Sequence, residues 1–305
     1  MPCIIAFIIL GLMSIFSATH RQLAKEAFDC VFRRITLRPC NTGFREKIKA
    51  AFVARLILKS PLLAKLAAKN FELLSWIFAI LTLGSLFWVT RGMVNFYLYG
   101  SCRGLNDTGV CLLDMSGENN SVTSCGSQSA ANHTPTMAGV DWSLFAQTNP
   151  QSSQQVIFIG CVNCNYSRQV YQSVFNLAKE YQANFIFAHY PVKAETDYLV
   201  SLFDCLHKES STAFWPFLSQ LFVNEPQFNV SSEAVLAQAE SFGFNKQSLS
   251  ECLQSSLTNG RQQYLLQEIS RTNLYGTPLV FINSQAYIGP KPWRVYRHAI
   301  KAATK

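Results

Sequence analysis

The sequence predicts an α/β domain over residues 150–305, with elements in the order β–α–β–(helices)–β–β–α, preceded by transmembrane helices. Three observations predict it. Short apolar runs at 156–159, 185–188 and 279–282 read as strands buried on both faces. Segments with helical apolar spacing separate them. Ahead of both lies Phe71 to Thr90, about twenty residues with one charge, Glu72, which suffices for a hydrocarbon core of ~30 Å.

Composition is uneven along the chain. Hydrophobic residues make up 49% of it and charged residues 14%. The net charge of +8 comes from residues 21–69, where twelve Lys and Arg face only Glu26, Asp29 and Glu46. A basic segment beside an apolar run is a membrane-flanking loop, and it argues against a nucleic-acid-binding domain. By the positive-inside rule the loop is cytoplasmic, and everything after Arg91 is extracytoplasmic. Seven cysteines fall on that side (102, 111, 125, 161, 164, 205 and 252), as in an oxidising compartment.

Taken in order, Cys3 to Ala18 reads as a possible first transmembrane segment within 1–20. A signal peptide or interfacial segment is the alternative, although no basic stretch precedes it. Residues 21–70 form a basic cytoplasmic helical loop, with a basic amphipathic stretch at 44–68 interrupted by Pro61. Residues 71–91 form the transmembrane helix, with Trp76 and Trp88 toward its ends. In 92–149, Cys102 and Cys111 stand nine residues apart around Gly104 and Gly109, which suggests a small disulfide-closed loop. The rest of that segment is rich in Ser, Asn, Gly, Gln and Thr and reads as a flexible tether.

The domain then opens with the strand Val156–Ile159 and a helix from Tyr166 to Ala178 bearing Val170, Val174 and Leu177. A second strand runs through Phe185–Tyr190. Helices fill about 194–274, with apolar faces such as Leu199, Leu202, Phe203 and Leu206. Strands at Leu279–Ile282 and up to Ile288 flank a turn at Asn283-Ser284. A last helix begins near Pro292, a residue suited to a first turn. Five Asn-x-Ser/Thr triplets (Asn106, Asn119, Asn132, Asn165, Asn229) read as chance matches in an Asn- and Ser-rich chain.

Cys161-Val162-Asn163-Cys164 lies at the seam between the first strand and its helix. A cysteine at a helix N-terminus has its thiolate stabilised by unpaired N–H groups and the macrodipole. On this reading Cys161 is the attacking thiol and Cys164 resolves. Half of a zinc site would need a second close-spaced Cys or His pair, and the sequence has none. No metal and no cofactor are expected. Thr277-Pro278 leads into an apolar strand, where a proline cannot donate to the ladder; a cis Thr277–Pro278 bond would resolve this.

The runs VIFIGCVNC, FIFAHYPV and YGTPLVFIN, with the turn Ile288-Gly289-Pro290-Lys291-Pro292, resemble the DsbA-like and DsbC-like oxidoreductases of the thioredoxin fold (DsbA, DsbC and DsbG types). The resemblance covers about residues 150–305. It implies a thioredoxin-like fold with a helical insertion, a cis bond at Pro278, and Thr277 pairing with substrate backbone by strand addition. The residues alone leave Cys205 and Cys252 open as buried thiols or a bridge; the resemblance favours a structural disulfide. Departures are Gln155 and Phe158, where the family often carries Glu and Asp six and three residues before the first cysteine, and Val162-Asn163 between the cysteines.

The implied function is thiol–disulfide exchange on exported proteins that contain cysteines, in the disulfide-forming direction. The implied partner is a DsbB-like or vitamin-K-epoxide-reductase-like membrane protein, with membrane lipid around the helices. The expected location is the cell membrane with the catalytic domain extracytoplasmic. The alternatives are an isomerase or reductase using the same pair, or a non-catalytic membrane-anchored binding module on the same scaffold.

Overall fold

The computed structural model describes residues 68–302 except 108, 117–124, 127–133, 193, 224–230 and 275, together with nine scattered positions before 68. The first apolar run, most of the basic loop with its amphipathic stretch, and Cys3, Cys30 and Cys40 lie outside the described residues. The chain divides into two compact units, Met1–Thr90 and Arg91–Lys305.

Helix α1 spans Phe71–Tyr99, 29 residues. Many of its large apolar side chains are exposed, among them Leu81, Leu86, Phe87 and Trp88. Among the described residues, however, no helix is long and apolar enough to cross a membrane, so the expected span over 71–91 is not borne out by them. At the C-terminal end of α1 the Arg294 guanidinium donates to the carbonyls of Phe96 (3.2 Å) and Tyr97 (3.3 Å) and lies over the Phe96 ring. A cation placed there meets the negative end of the helix dipole.

The second unit is built on a five-stranded sheet of order β1-β3-β2-β4-β5. Its strands are β1 (Ala146–Gln147), β2 (Gln155–Gly160), β3 (Asn184–His189), β4 (Leu279–Ile282) and β5 (Gln285–Ile288). The pair β2 and β3 is parallel; β1 with β3, β2 with β4, and β4 with β5 are antiparallel. The parallel pair is linked by α2 (Asn165–Glu180). Between β3 and β4 come α3 (Tyr198–Glu209), α4 (Ser211–Val223), α5 (Ser232–Ser241), α6 (Lys246–Thr258) and α7 (Arg261–Ser270), and α8 (Trp293–Ala302) closes the chain.

Alternation along the strands sends residues to two cores. Val156, Phe158, Phe185, Phe187 and Val280 face a core shared with α2, α4 and α8. Ile157, Ile159, Ile186, Leu279 and Phe281 face another, covered by Leu265 and Ile269 of α7 and by Phe145. Burial on both faces is why these strands read as continuous apolar runs.

One expectation for 92–149 needs revising. The stretch before β2 is not a tether where it is described. Trp142–Leu144 form a 3-10 turn, and β1 adds a strand to the sheet. Polar side chains do the joining: Phe185 N–H donates to Thr148 Oγ1 (2.9 Å), Asn149 N–H to Asn184 Oδ1 (3.0 Å), and Asn184 Nδ2 to Gln147 Oε1 (3.0 Å). A polar composition therefore did not mean an unpaired backbone here. Asn106, in turn, covers the outer edge of β5. Its Nδ2 donates to Ala286 O (2.7 Å) and its Oδ1 accepts from Ile288 N–H (2.9 Å), as a further strand would.

Candidate active site

The site forms where β2 hands over to α2. After Gly160 the chain makes a turn from Cys161 to Cys164, closed by Cys164 N–H to Cys161 O at 3.1 Å. Arg168 Nη1 donates to Val162 O (3.2 Å) and Asn163 Nδ2 to Glu195 Oε1 (3.3 Å), which hold the turn in place. The helix begins only at Asn165, so its N-cap is Cys164, with extended backbone (φ −103°, ψ 118°). Its carbonyl accepts the first helical bond, from Arg168 N–H at 3.0 Å.

This corrects the sequence reading. Cys161 sits at the strand end, a whole turn before the helix, and the residue at the positive end of the dipole is Cys164. The two cysteines are not bonded to each other. Cys161 is a buried free thiol, and Cys164 is bonded to Cys125. One turn inside the helix, three residues after Cys164, stands Ser167. It is fully buried, and its Oγ accepts from Cys161 N–H at 3.3 Å.

Facing Cys164 is the loop before β4. The Thr277–Pro278 peptide bond is cis. Pro278 has no N–H to give, and the β2–β4 ladder starts at Leu279. The Cys164 Sγ lies 3.4 Å from the Thr277 carbonyl oxygen. The Thr277 main chain is itself paired: its N–H donates to Cys125 O (2.8 Å), and its carbonyl accepts from Cys125 N–H (2.8 Å). This is an antiparallel bridge. Thr277 is fully buried, and its hydroxyl has no hydrogen-bond partner among the described residues.

The other four described cysteines pair among themselves. Cys205 of α3 is joined to Cys252 of α6, and Cys102 is joined to Cys111. His189, opposite Gly160 in the β2–β3 ladder, is buried with its ring edge-on to Phe203. Burial pushes its pKa down to about 3, so it is neutral at physiological pH.

Sequence reasoning did not place Cys125 or Ser167 in the site. Ser167 had a signal, because a helix whose periodicity starts at Tyr166 is adjacent to Cys164 and not to Cys161. Counted from Cys164, the third residue is Ser167. Cys125 had none, lying 39 residues from Cys164 in a polar stretch.

Fold and site together define an α/β protein with a cysteine at a helix N-cap facing a cis-proline loop. A family model described as Thioredoxin matches residues 146–302, just over half of the chain, and the chain belongs to that family. Solved structures of similar shape include the following three. The thiol-disulfide exchange protein alpha-DsbA2 from Wolbachia pipientis is 13% identical, covering 52% of this chain and 87% of that one, with TM-score 0.47. BdbD from Bacillus subtilis is 15% identical over 56% of this chain and 97% of that one, with TM-score 0.48. A thioredoxin-like oxidoreductase from Silicibacter pomeroyi DSS-3 is 15% identical over 53% and 92%, with TM-score 0.47. At these identities and TM-scores the likeness carries nothing over to this chain. None of the curated proteins compared matches this sequence.

Proposed function

We propose that the chain is a thiol–disulfide oxidoreductase of the DsbA-like kind whose reacting thiol is Cys164, acting on exported proteins and forming disulfides in them. One observation carries the reading: the Cys164 sulfur sits at a helix N-cap, 3.4 Å from the carbonyl that precedes cis-Pro278. A thiolate there is favoured by the helix dipole and by the free N–H groups of the first turn. The reaction direction and setting rest on other support. Three disulfides among the described cysteines suit an oxidising compartment. The basic loop and the apolar run at 71–90 support membrane attachment with residues 92–305 extracytoplasmic. A DsbB-like or vitamin-K-epoxide-reductase-like membrane partner for re-oxidation rests on the resemblance in motifs alone.

The test uses the full-length chain in detergent micelles and follows exchange with a fluorescent disulfide peptide. Cys164→Ser lowers the rate more than about 100-fold, as loss of a nucleophile does. If Cys164→Ser keeps the wild-type rate, the fold is a binding scaffold and the enzyme reading fails. Carbonate extraction of membranes from expressing cells tests attachment. The chain stays in the pellet if the reading holds, and its release into the supernatant would refute anchoring.

A further inference from the structure

We infer that the redox partner of Cys164 is Cys125, supplied by the chain ahead of the domain, and that in the oxidised protein Cys125 occupies the edge on which substrate backbone would pair. The inference rests on the reading of Cys164 as the reacting thiol.

Four observations converge. Cys125 is covalently joined to Cys164. Its main chain makes both hydrogen bonds of an antiparallel bridge with Thr277, the residue before cis-Pro278. Within α2 the position one turn after Cys164 is Ser167, which cannot form a disulfide, so the helix brings one thiol only. Cys161, the nearest other thiol in sequence, is buried and unbonded at the far end of the turn. A peptide added as a strand at Thr277 would use the same N–H and C=O that Cys125 uses. The Cys125 backbone thus takes the place of a substrate, and its sulfur takes the place of the substrate's sulfur.

The exchange then runs as follows. A substrate thiolate attacks Cys164 Sγ, the Cys125–Cys164 bond breaks, and the electron pair leaves on the Cys125 sulfur, which takes up a proton. A second substrate thiolate attacks the substrate sulfur of the mixed disulfide and releases the Cys164 thiolate. The substrate dithiol has lost two electrons, and the Cys125–Cys164 disulfide has gained them. In reverse, the Cys125 thiolate attacks Cys164 Sγ of a mixed disulfide, re-forms the Cys125–Cys164 bond, and expels the bound partner as a thiol. Because Cys125 is tethered to the domain it attacks, its effective concentration at Cys164 exceeds that of a dilute free thiol.

The test uses the full-length chain in detergent micelles. Oxidised protein is quenched with acid, alkylated, digested without reductant and mapped by mass spectrometry. The expected product is a peptide carrying Cys125 cross-linked to the peptide carrying Cys164, in the wild type and in Cys161→Ala. A loop-linked single peptide with Cys161 bonded to Cys164 as the main product overturns the inference. Reduced protein is then mixed with oxidised glutathione. Cys125→Ser accumulates glutathione on Cys164 at least ten-fold above wild type, whereas Cys161→Ala and Cys161→Ser resemble wild type. If instead the Cys161 variants accumulate it and Cys125→Ser clears it, Cys161 is the partner and the inference falls with the Cys164 reading intact. If Cys164→Ser still exchanges at the wild-type rate, the underlying reading itself fails. The wild-type map needs no substitution, so misfolding of a variant cannot mask the answer.

Discussion

Gly160 is the last residue of β2, just ahead of the reactive turn, and Gly160→Ala sets two opposed effects against each other. Its φ is not positive, so alanine meets no backbone penalty there. Lost freedom of the unfolded chain would by itself stabilise the protein by about 0.4–1 kcal/mol. Against this, an added Cβ would fall inside van der Waals contact with Phe158 Cε1 and only 3.0 Å from Cδ1 and 3.1 Å from Cζ. The Phe158 ring has nowhere to go. It is fully buried, with the rings of Tyr171, Phe185, Phe187 and Phe222 at centroid distances of 5.5, 6.2, 6.3 and 5.9 Å. Over-packing of this kind costs typically 1–3 kcal/mol, so the clash outweighs the entropy and the net effect is a loss of about 1–2 kcal/mol. Phe158→Leu removes the offending ring atoms at the cost of a cavity. In the double variant the new methyl fills part of that cavity, and the two changes couple favourably by at least ~1 kcal/mol. Urea denaturation of the four proteins of this cycle, followed by near-ultraviolet circular dichroism, reads the coupling. Stability of Gly160→Ala within ~0.5 kcal/mol of wild type, or additivity of the pair within the same margin, would refute the packing argument.

Two further predictions concern the surroundings of Cys164. The His189 pKa is pushed down to about 3 by burial, with the Thr196 and Gly160 backbone nearby only partly offsetting it, against about 6.5 in an unfolded chain. The unfolded state therefore binds the extra proton between those values. Stability from this group is complete above about pH 6.5 and is lost as pH falls toward 3, up to roughly 4 kcal/mol. Urea midpoints at pH 7.5, 5.5 and 4 should fall less steeply for His189→Leu than for wild type, and parallel curves would sink the assignment. Ser167→Cys places a second thiol one turn into α2, where it competes with Cys125 for Cys164. A bond between Cys164 and the introduced thiol is expected in the non-reducing peptide map, and its absence would count against the helix-start geometry. Removing the hydroxyl that accepts Cys161 N–H should also cost the reduced protein about 1 kcal/mol, which a thermal melt under reductant would detect.

Much of the fold was legible because its signals are local. Val156–Ile159, Phe185–Ala188 and Leu279–Ile282 are apolar without interruption because both faces of their strands are covered, and that burial leaves a readable trace. The helix after β2 announced itself by Val170, Val174 and Leu177. The cis bond was not legible in the residues alone, which marked only a proline unable to donate to the ladder; it was the resemblance that implied it, and the Thr277–Pro278 bond is cis. β1 was not legible, since two residues carry no periodicity and their pairing depends on Asn184 and Thr148 meeting across the sheet edge.

The site divides in the same way. The sequence by itself determined that a cysteine would stand where a buried strand passes into a helix, because strand burial and helix periodicity are properties of neighbouring residues. The sequence also held the clue to which cysteine, in the helical spacing that begins at Tyr166. That the Pro278 loop lies opposite was implied by the resemblance alone, and the structure places Cys164 Sγ against Thr277 O across 113 residues. Only the tertiary structure decided that Cys164 bonds Cys125 and leaves Cys161 buried and free. Disulfide partners are chosen by the distance between sulfurs in space, and a separation of 39 residues through polar chain carries no periodic signal that says where its far end will lie. Here the main-chain pairing of Cys125 with Thr277 brings it to the sulfur of Cys164.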